Sequence, residues 1–143
     1  MNSQQSKVPI WYYVVSSVLL LWNIMGITNY FQHLFISDEV LQSLPPANQE
    51  IILSMPTWIF VVFGIAVFTG LGGSVALLVR KRIAKILFII SLIASLIQLT
   101  RSINAGDFEV YGTPEMVVTG MIIGFSVFAI WLSSYANSKT WLR

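Results

Sequence analysis

Long uncharged runs divide this chain. Thirty residues between Lys7 and Asp38 contain no Asp, Glu, Lys or Arg, and 29 such residues separate Glu50 from Arg80. The interval from Lys85 to Arg101 is 15 residues, and that from Glu115 to Lys139 is 23. Within these runs the apolar residues are continuous rather than alternating, which argues against the strands of a membrane barrel. A helix rises about 1.5 Å per residue, so about 20 apolar residues cross a hydrocarbon layer of roughly 30 Å. Three runs qualify unaided. The Lys85–Arg101 interval qualifies once both side chains extend their stems and carry their charges to the interface. The pattern therefore predicts an all-α membrane protein, a bundle of four transmembrane helices at about residues 10–36, 56–79, 83–103 and 115–136. The first run is too long for a signal peptide and no small-residue cleavage pattern follows it, so it is expected to remain as an anchor.

The connections carry their own signals. Ser37 before Asp38 and Glu39 reads as a helix N-terminus, with acids at the positive end of the dipole. Pro45-Pro46 ends that turn and opens another, in which Ile51, Ile52 and Met55 are expected to face the membrane. Residues 104–112 read as two turns around a short extended piece.

Composition narrows the class further. Of 143 residues, 56% are hydrophobic and only 10% charged, with a mean hydropathy of +0.77. A soluble domain carries about 25% charged residues, so this chain cannot coat a water-facing surface. Soluble enzymes, nucleic-acid binders and disordered linkers are excluded on that ground, and residues 1–143 read as one transmembrane domain. The net charge is +2, and the absence of cysteine removes disulfides and thiolate chemistry.

The charges are sharply segregated. Lys7, Arg80, Lys81, Arg82, Lys85, Lys139 and Arg143 fall on one side of the four spans, and only Arg101 falls on the other. All six acids, Asp38, Glu39, Glu50, Asp107, Glu109 and Glu115, share the Arg101 side. By the positive-inside rule both termini are expected in the cytoplasm. Trp11, Tyr12, Tyr13, Trp131 and Tyr135 suit the inner interface, and Trp58 the outer one.

Small and polar positions mark the faces expected to meet. Ala66, Thr69, Gly70, Gly73 and Ala76 lie within about 120° of arc on the second span, and Gly120 and Gly124 form a G-x-x-x-G on the fourth. Both stripes predict close helix packing. Asn23, Gly26, Tyr30 and His33 share about 80° of the first span, and Ser91, Ser95, Gln98 and Ser102 about 60° of the third. Unpaired polar groups are costly in hydrocarbon, so these faces are expected to converge in a polar chamber in the outer leaflet. Its candidate ligand-binding residues are Arg101, Gln98, His33, Tyr30, Asn23 and Glu115, with Glu115 as counter-ion to Arg101 and the guanidinium as the principal anchor.

Several chemistries are missing. No Asp or Glu lies inside a span, which removes the usual proton relay of a coupled carrier. There is one histidine, no Gly-rich phosphate loop, no H-E-x-x-H and no Ser-His-Asp constellation, so the sequence points to no metal, no cofactor and no enzyme. Two functions are expected instead. One is binding or transport of a small polar solute. The other is a non-catalytic accessory or structural subunit of a larger membrane complex. The lipid bilayer, further copies of the chain or other membrane subunits are the expected partners, and nucleic acid is not.

The chain from Lys7-Val8-Pro9 to Trp141-Leu142 resembles a family of small four-span bacterial proteins often labelled sugar transporters. The likeness is carried by Trp22-Asn23 with Gly26, by Pro56 and Trp58, by Ala66-Val67-Phe68 with Gly70 and Gly73, and by Leu77-Leu78 with Arg80-Lys81. Ser91-Leu92 and Glu109-Val110-Tyr111-Gly112 complete it. The resemblance implies a four-helix fold and a sugar-like solute. The Pro56–Arg80 stretch is also loosely similar to DoxX-like four-helix membrane proteins.

Overall fold

The computed structural model describes residues 7–143 and is helical throughout its ordered elements. Seven helices follow one another: α1 (Ile10–Leu34), α2 (Asp38–Ser43), α3 (Pro46–Ser54), α4 (Thr57–Leu78), α5 (Ala84–Ala105), α6 (Asp107–Tyr111) and α7 (Thr113–Ser138). The long helices α1, α4, α5 and α7 are each long and apolar enough to cross a membrane. They coincide with the four expected spans to within about two residues at each end.

Local chemistry explains the boundaries. All five prolines stand at an N-cap or in a first helical turn: Pro9 before α1, Pro45 and Pro46 at α3, Pro56 before α4, and Pro114 in α7. There the missing N–H has no intrahelical acceptor to lose. Ser37 caps α2 as expected, its hydroxyl accepting from Val40 N at 3.3 Å. Residues 107–111 depart from expectation by forming the short helix α6 in place of an extended piece. The reason lies at its ends: Gly106 and Gly112 take φ of 74° and 73°, left-handed values that let the chain reverse twice within a few residues.

Neighbours in sequence are neighbours in space. α1 packs on α4, α4 on α5, and α5 on α7, so α4 and α5 form the centre. The small residues Gly64, Ala66, Gly70, Gly73, Ser74 and Ala76 bury themselves along α4, letting α1 and α5 approach it closely. α1 and α7 face each other across a wider seam closed by rings, with Trp22 and Phe125 centroids 4.6 Å apart.

The densest packing lies at the end carrying the chain termini. Tyr12, Leu77, Ala84, Leu132 and Ala136 are completely buried there. The Tyr12 hydroxyl donates to Leu77 O at 2.6 Å. Residues 141–143 fold back over this core: Arg143 N donates to Arg80 O at 2.7 Å, and Arg82 N donates to Arg143 O at 3.1 Å. Trp141 sits edge-on to Trp11, Tyr12 and Tyr135, at centroid distances of 5.5–5.7 Å. Elsewhere a broad apolar belt faces outward, including Val18, Met25, Ile65, Phe68, Ile93, Met121 and Phe128. Water-soluble monomers rarely expose so continuous an apolar surface. The chain has the build of a multi-pass membrane protein.

Candidate functional site

At the opposite end, where α2, α3 and α6 lie, two charged side chains form an ion pair. Arg101 occupies the penultimate turn of α5, and Gly106 turns the chain so that Asp107, the first residue of α6, faces back toward it. Arg101 Nη1 donates to Asp107 Oδ2 at 2.6 Å. The two side chains retain only 15% and 8% of their exposure, so the pair is largely withdrawn from water. Asp107 Oδ1 is buried and accepts no hydrogen bond among the described residues. The expectation that Glu115 neutralises Arg101 is thereby corrected. Glu115 stands exposed in the first turn of α7, while the left-handed Gly106 delivers the nearer carboxylate. Tyr111, at the end of α6, has its hydroxyl pKa raised by burial, then by the negative charges of Asp107 and Glu115, with Arg101 opposing. It therefore stays protonated at physiological pH.

Beside this pair an open groove of about 520 Å³ runs between the start of α4 and the last turns of α5. Trp58 forms one wall, and Ile97, Thr100, Arg101, Asn104 and Ala105 the other. The Trp58 side chain is 53% exposed, so its ring is available to a ligand. Arg101 engages Asp107 through one guanidinium nitrogen, and its other N–H donors make no hydrogen bond among the described residues. The Thr100 hydroxyl donates to Leu96 O at 2.9 Å, leaving its lone pairs as acceptors. An aromatic plate beside amide, hydroxyl and guanidinium groups is suited to a small ring bearing hydroxyls.

The other residues expected at a ligand site lie elsewhere. His33 Nδ1 donates to Asn29 O at 2.9 Å within α1, and its ring stands edge-on to Phe63 at 6.2 Å. Tyr30 packs edge-on against Phe63 and Phe68 of α4, at 5.1 and 6.0 Å. Its hydroxyl lies over Gly64, where an added Cβ would stand 3.1 Å from it. Phe63 and Trp58 point about 140° apart around α4, so the polar end of α1 and the Arg101 groove occupy different sides of that helix. Of the six candidates, the groove takes only Arg101. Gln98 is half-buried one turn before Arg101 and does not line the groove. Asn23 lies at mid-helix, donating to Leu19 O at 2.8 Å and to Ser74 Oγ at 2.9 Å.

The two glycine stripes also part company. A Cβ on Gly73 would meet the Phe88 ring at 2.8 Å, as close packing requires. A Cβ on Gly120 or Gly124 would meet nothing within 4 Å, so the expected packing at this G-x-x-x-G is not made among the described residues. Ile51 is buried against the protein, against the expectation that it faces the membrane. Sequence reasoning passed over Asp107, Trp58, Thr100 and Asn104 as site members. The signal for Asp107 was its place immediately after a glycine and six residues beyond Arg101.

Among the described residues no group of three or more His, Cys, Asp or Glu side chains is placed to hold a metal ion. No family model, no curated protein and no solved structure matches the chain.

Proposed function

We propose that this is a multi-pass protein of a bacterial inner membrane that binds a small polar, sugar-like solute at its outer face. The observation that carries the reading is the groove between α4 and α5, with the exposed Trp58 ring on one wall and the Asp107-braced Arg101 on the other. Asp107 fixes the guanidinium, so little side-chain entropy is lost when a ligand docks. Thr100 and Asn104 add acceptors and donors at the same wall. The segregation of seven cations to the terminal end and six acids to the loop end supports an orientation with the termini in the cytoplasm and the groove outside. The activity proposed is binding, with no catalytic step.

The test is thermal shift of the detergent-solubilised protein against a panel of mono- and disaccharides and polyols. At least one should raise the melting temperature of the wild type and fail to do so in Trp58→Ala and Arg101→Ala. A panel that stabilises nothing, or a shift that survives both substitutions, contradicts the reading.

One observation favours a second reading. The open Gly120–Gly124 face of α7 is the kind of surface on which another transmembrane helix packs. In that case the protein is an accessory subunit, and Gly124→Leu would release partner chains that co-purify with the wild type.

A further inference from the structure

Midway along the bundle, between α1, α4, α5 and α7, lies a small cavity with about 20 Å³ of free volume. Three polar side chains enter it from three helices: Asn23 from α1, Ser91 from α5 and Ser126 from α7. Each has already committed its protons elsewhere. The Asn23 Nδ2 group donates to Leu19 O and Ser74 Oγ, at 2.8 and 2.9 Å. A main-chain carbonyl can only accept, so the bond to Leu19 fixes which way round the amide lies. Ser91 donates to Ala66 O at 2.7 Å, and Ser126 donates to Ile122 O at 2.8 Å. What remains toward the cavity is a set of lone pairs. Asn23 Oδ1 accepts no hydrogen bond from the described residues. It lies over Gly70, where any Cβ would collide with it, and Ser91 Oγ comes within 3.3 Å of the same point. The remaining walls are apolar: Leu19, Phe88 and the facing rings of Trp22 and Phe125.

We propose that this cavity is a binding site for a hydrogen-bond donor, and that its occupant is a single water molecule. Water fits the volume, since roughly 10–15 Å³ of such space holds one molecule. It also matches the chemistry. Its two protons serve Asn23 Oδ1 and one serine oxygen, and an acceptor-only site has no use for a second acceptor. An acyl-chain end would leave the Asn23 carbonyl unpaired in an apolar interior. The water bridges α1 to α5 or α7 across the seam that the helix backbones leave open. This inference is independent of the groove at the loop end.

The experiment is rotating-frame NOE spectroscopy of the full-length, isotope-labelled protein, read at the Asn23 side-chain amide protons. The rotating-frame signal separates dipolar contact with water from proton exchange by its sign. A dipolar water cross-peak is expected in the wild type. In Ser126→Val, which fills the cavity with an apolar group, it should fall at least about fivefold while the remaining amide spectrum is retained. A crystal structure provides a second readout, with density expected about 2.7–3.2 Å from Asn23 Oδ1. Absence of the wild-type cross-peak, or of that density, overturns the proposal. So does a cross-peak of equal strength in Ser126→Val, since water would then reach the amide by another route.

Discussion

The two ends of this bundle are built to different standards. At the terminal end α1 buries Tyr12, Ser16 and Leu19, α7 buries Ala129, Leu132, Ser133 and Ala136, and residues 141–143 close over them. Toward the loop end neither α1 nor α7 buries a single further residue; α5 reaches as far as Ala94 and Ser95, and beyond that the burial is scattered over Ile59 and Gly64 of α4, Ile51 of α3 and Asp107 of α6. The terminal end even tolerates backbone strain: Arg80 and Thr140 both adopt left-handed φ, at 62° and 61°. For a residue with a Cβ this conformation costs roughly 1–2 kcal/mol. Arg80 is held there by Nε donating to Trp141 O at 2.7 Å and by the Arg143 bond to its carbonyl. One end thus fixes the helices, and the other holds them loosely enough to leave a groove beside an ion pair.

The sharpest way to break this contrast is to unlatch the tight end. Trp141→Ala removes the ring that three other aromatic side chains meet, and by the usual cost of truncating a buried aromatic it should destabilise the protein by about 3 kcal/mol. Thermal melting in detergent reads this directly, with loss of α1–α7 contact as the consequence.

Next comes Gly73→Ala. Its new methyl would overlap the Phe88 ring, and Phe88 is 2% exposed with no room to retreat, so a loss of about 2 kcal/mol is expected. Gly124→Ala is its counterpart on the open face. There the methyl meets nothing, and the gain in helix propensity should leave the protein unchanged or stabilised by up to about 1 kcal/mol. The opposite signs are the prediction, and equal losses would show that α7 is packed on that face.

At the loop end, Arg101→Ala strands the Asp107 carboxylate with one oxygen already unpaired. The residual exposure of the pair reduces the penalty from that of a fully buried one to about 2 kcal/mol. Adding Asp107→Asn should recover most of the loss in melting temperature. If it recovers none, the pair does not exist as described.

The smallest effect concerns pH. The Tyr111 pKa is raised above its ordinary value of 10, so the protonated hydroxyl is the form the fold favours. That contribution is complete below the unfolded value near 10 and is lost as pH rises through the raised folded value. Melting temperature should therefore decline less steeply above about pH 10 in Tyr111→Phe than in the wild type.

How much of this was legible depends on what each feature rests on. The four spans follow from one-dimensional hydropathy and from helix length, and the prolines at helix starts mark their ends. The α4 stripe was readable because α4 has neighbours on two sides, so its small residues were bound to meet one of them. The same pattern at Gly120 and Gly124 misled, because the residues that α7 buries lie between Ala129 and Ala136. Which part of a helix meets a partner is decided by tertiary packing, not by the stripe itself. Choosing Asp107 over Glu109 or Glu115 as the partner of Arg101 required the turn at Gly106. The groove takes Arg101 without Tyr30 for a similar reason: Tyr30 packs on Phe63 and Phe68 of α4 while Arg101 shares the groove with Trp58, and which side of a helix meets which neighbour is not written in the spacing.

The central claim is that the loop end, with its groove, faces the outside of the membrane. The chain has no cysteine, so single cysteines introduced at Asn104 and Ser138 can be tested without background. Asn104→Cys should react with a membrane-impermeant maleimide in intact spheroplasts, and Ser138→Cys only after permeabilisation. Labelling in the reverse pattern would place the groove in the cytoplasm and contradict the account.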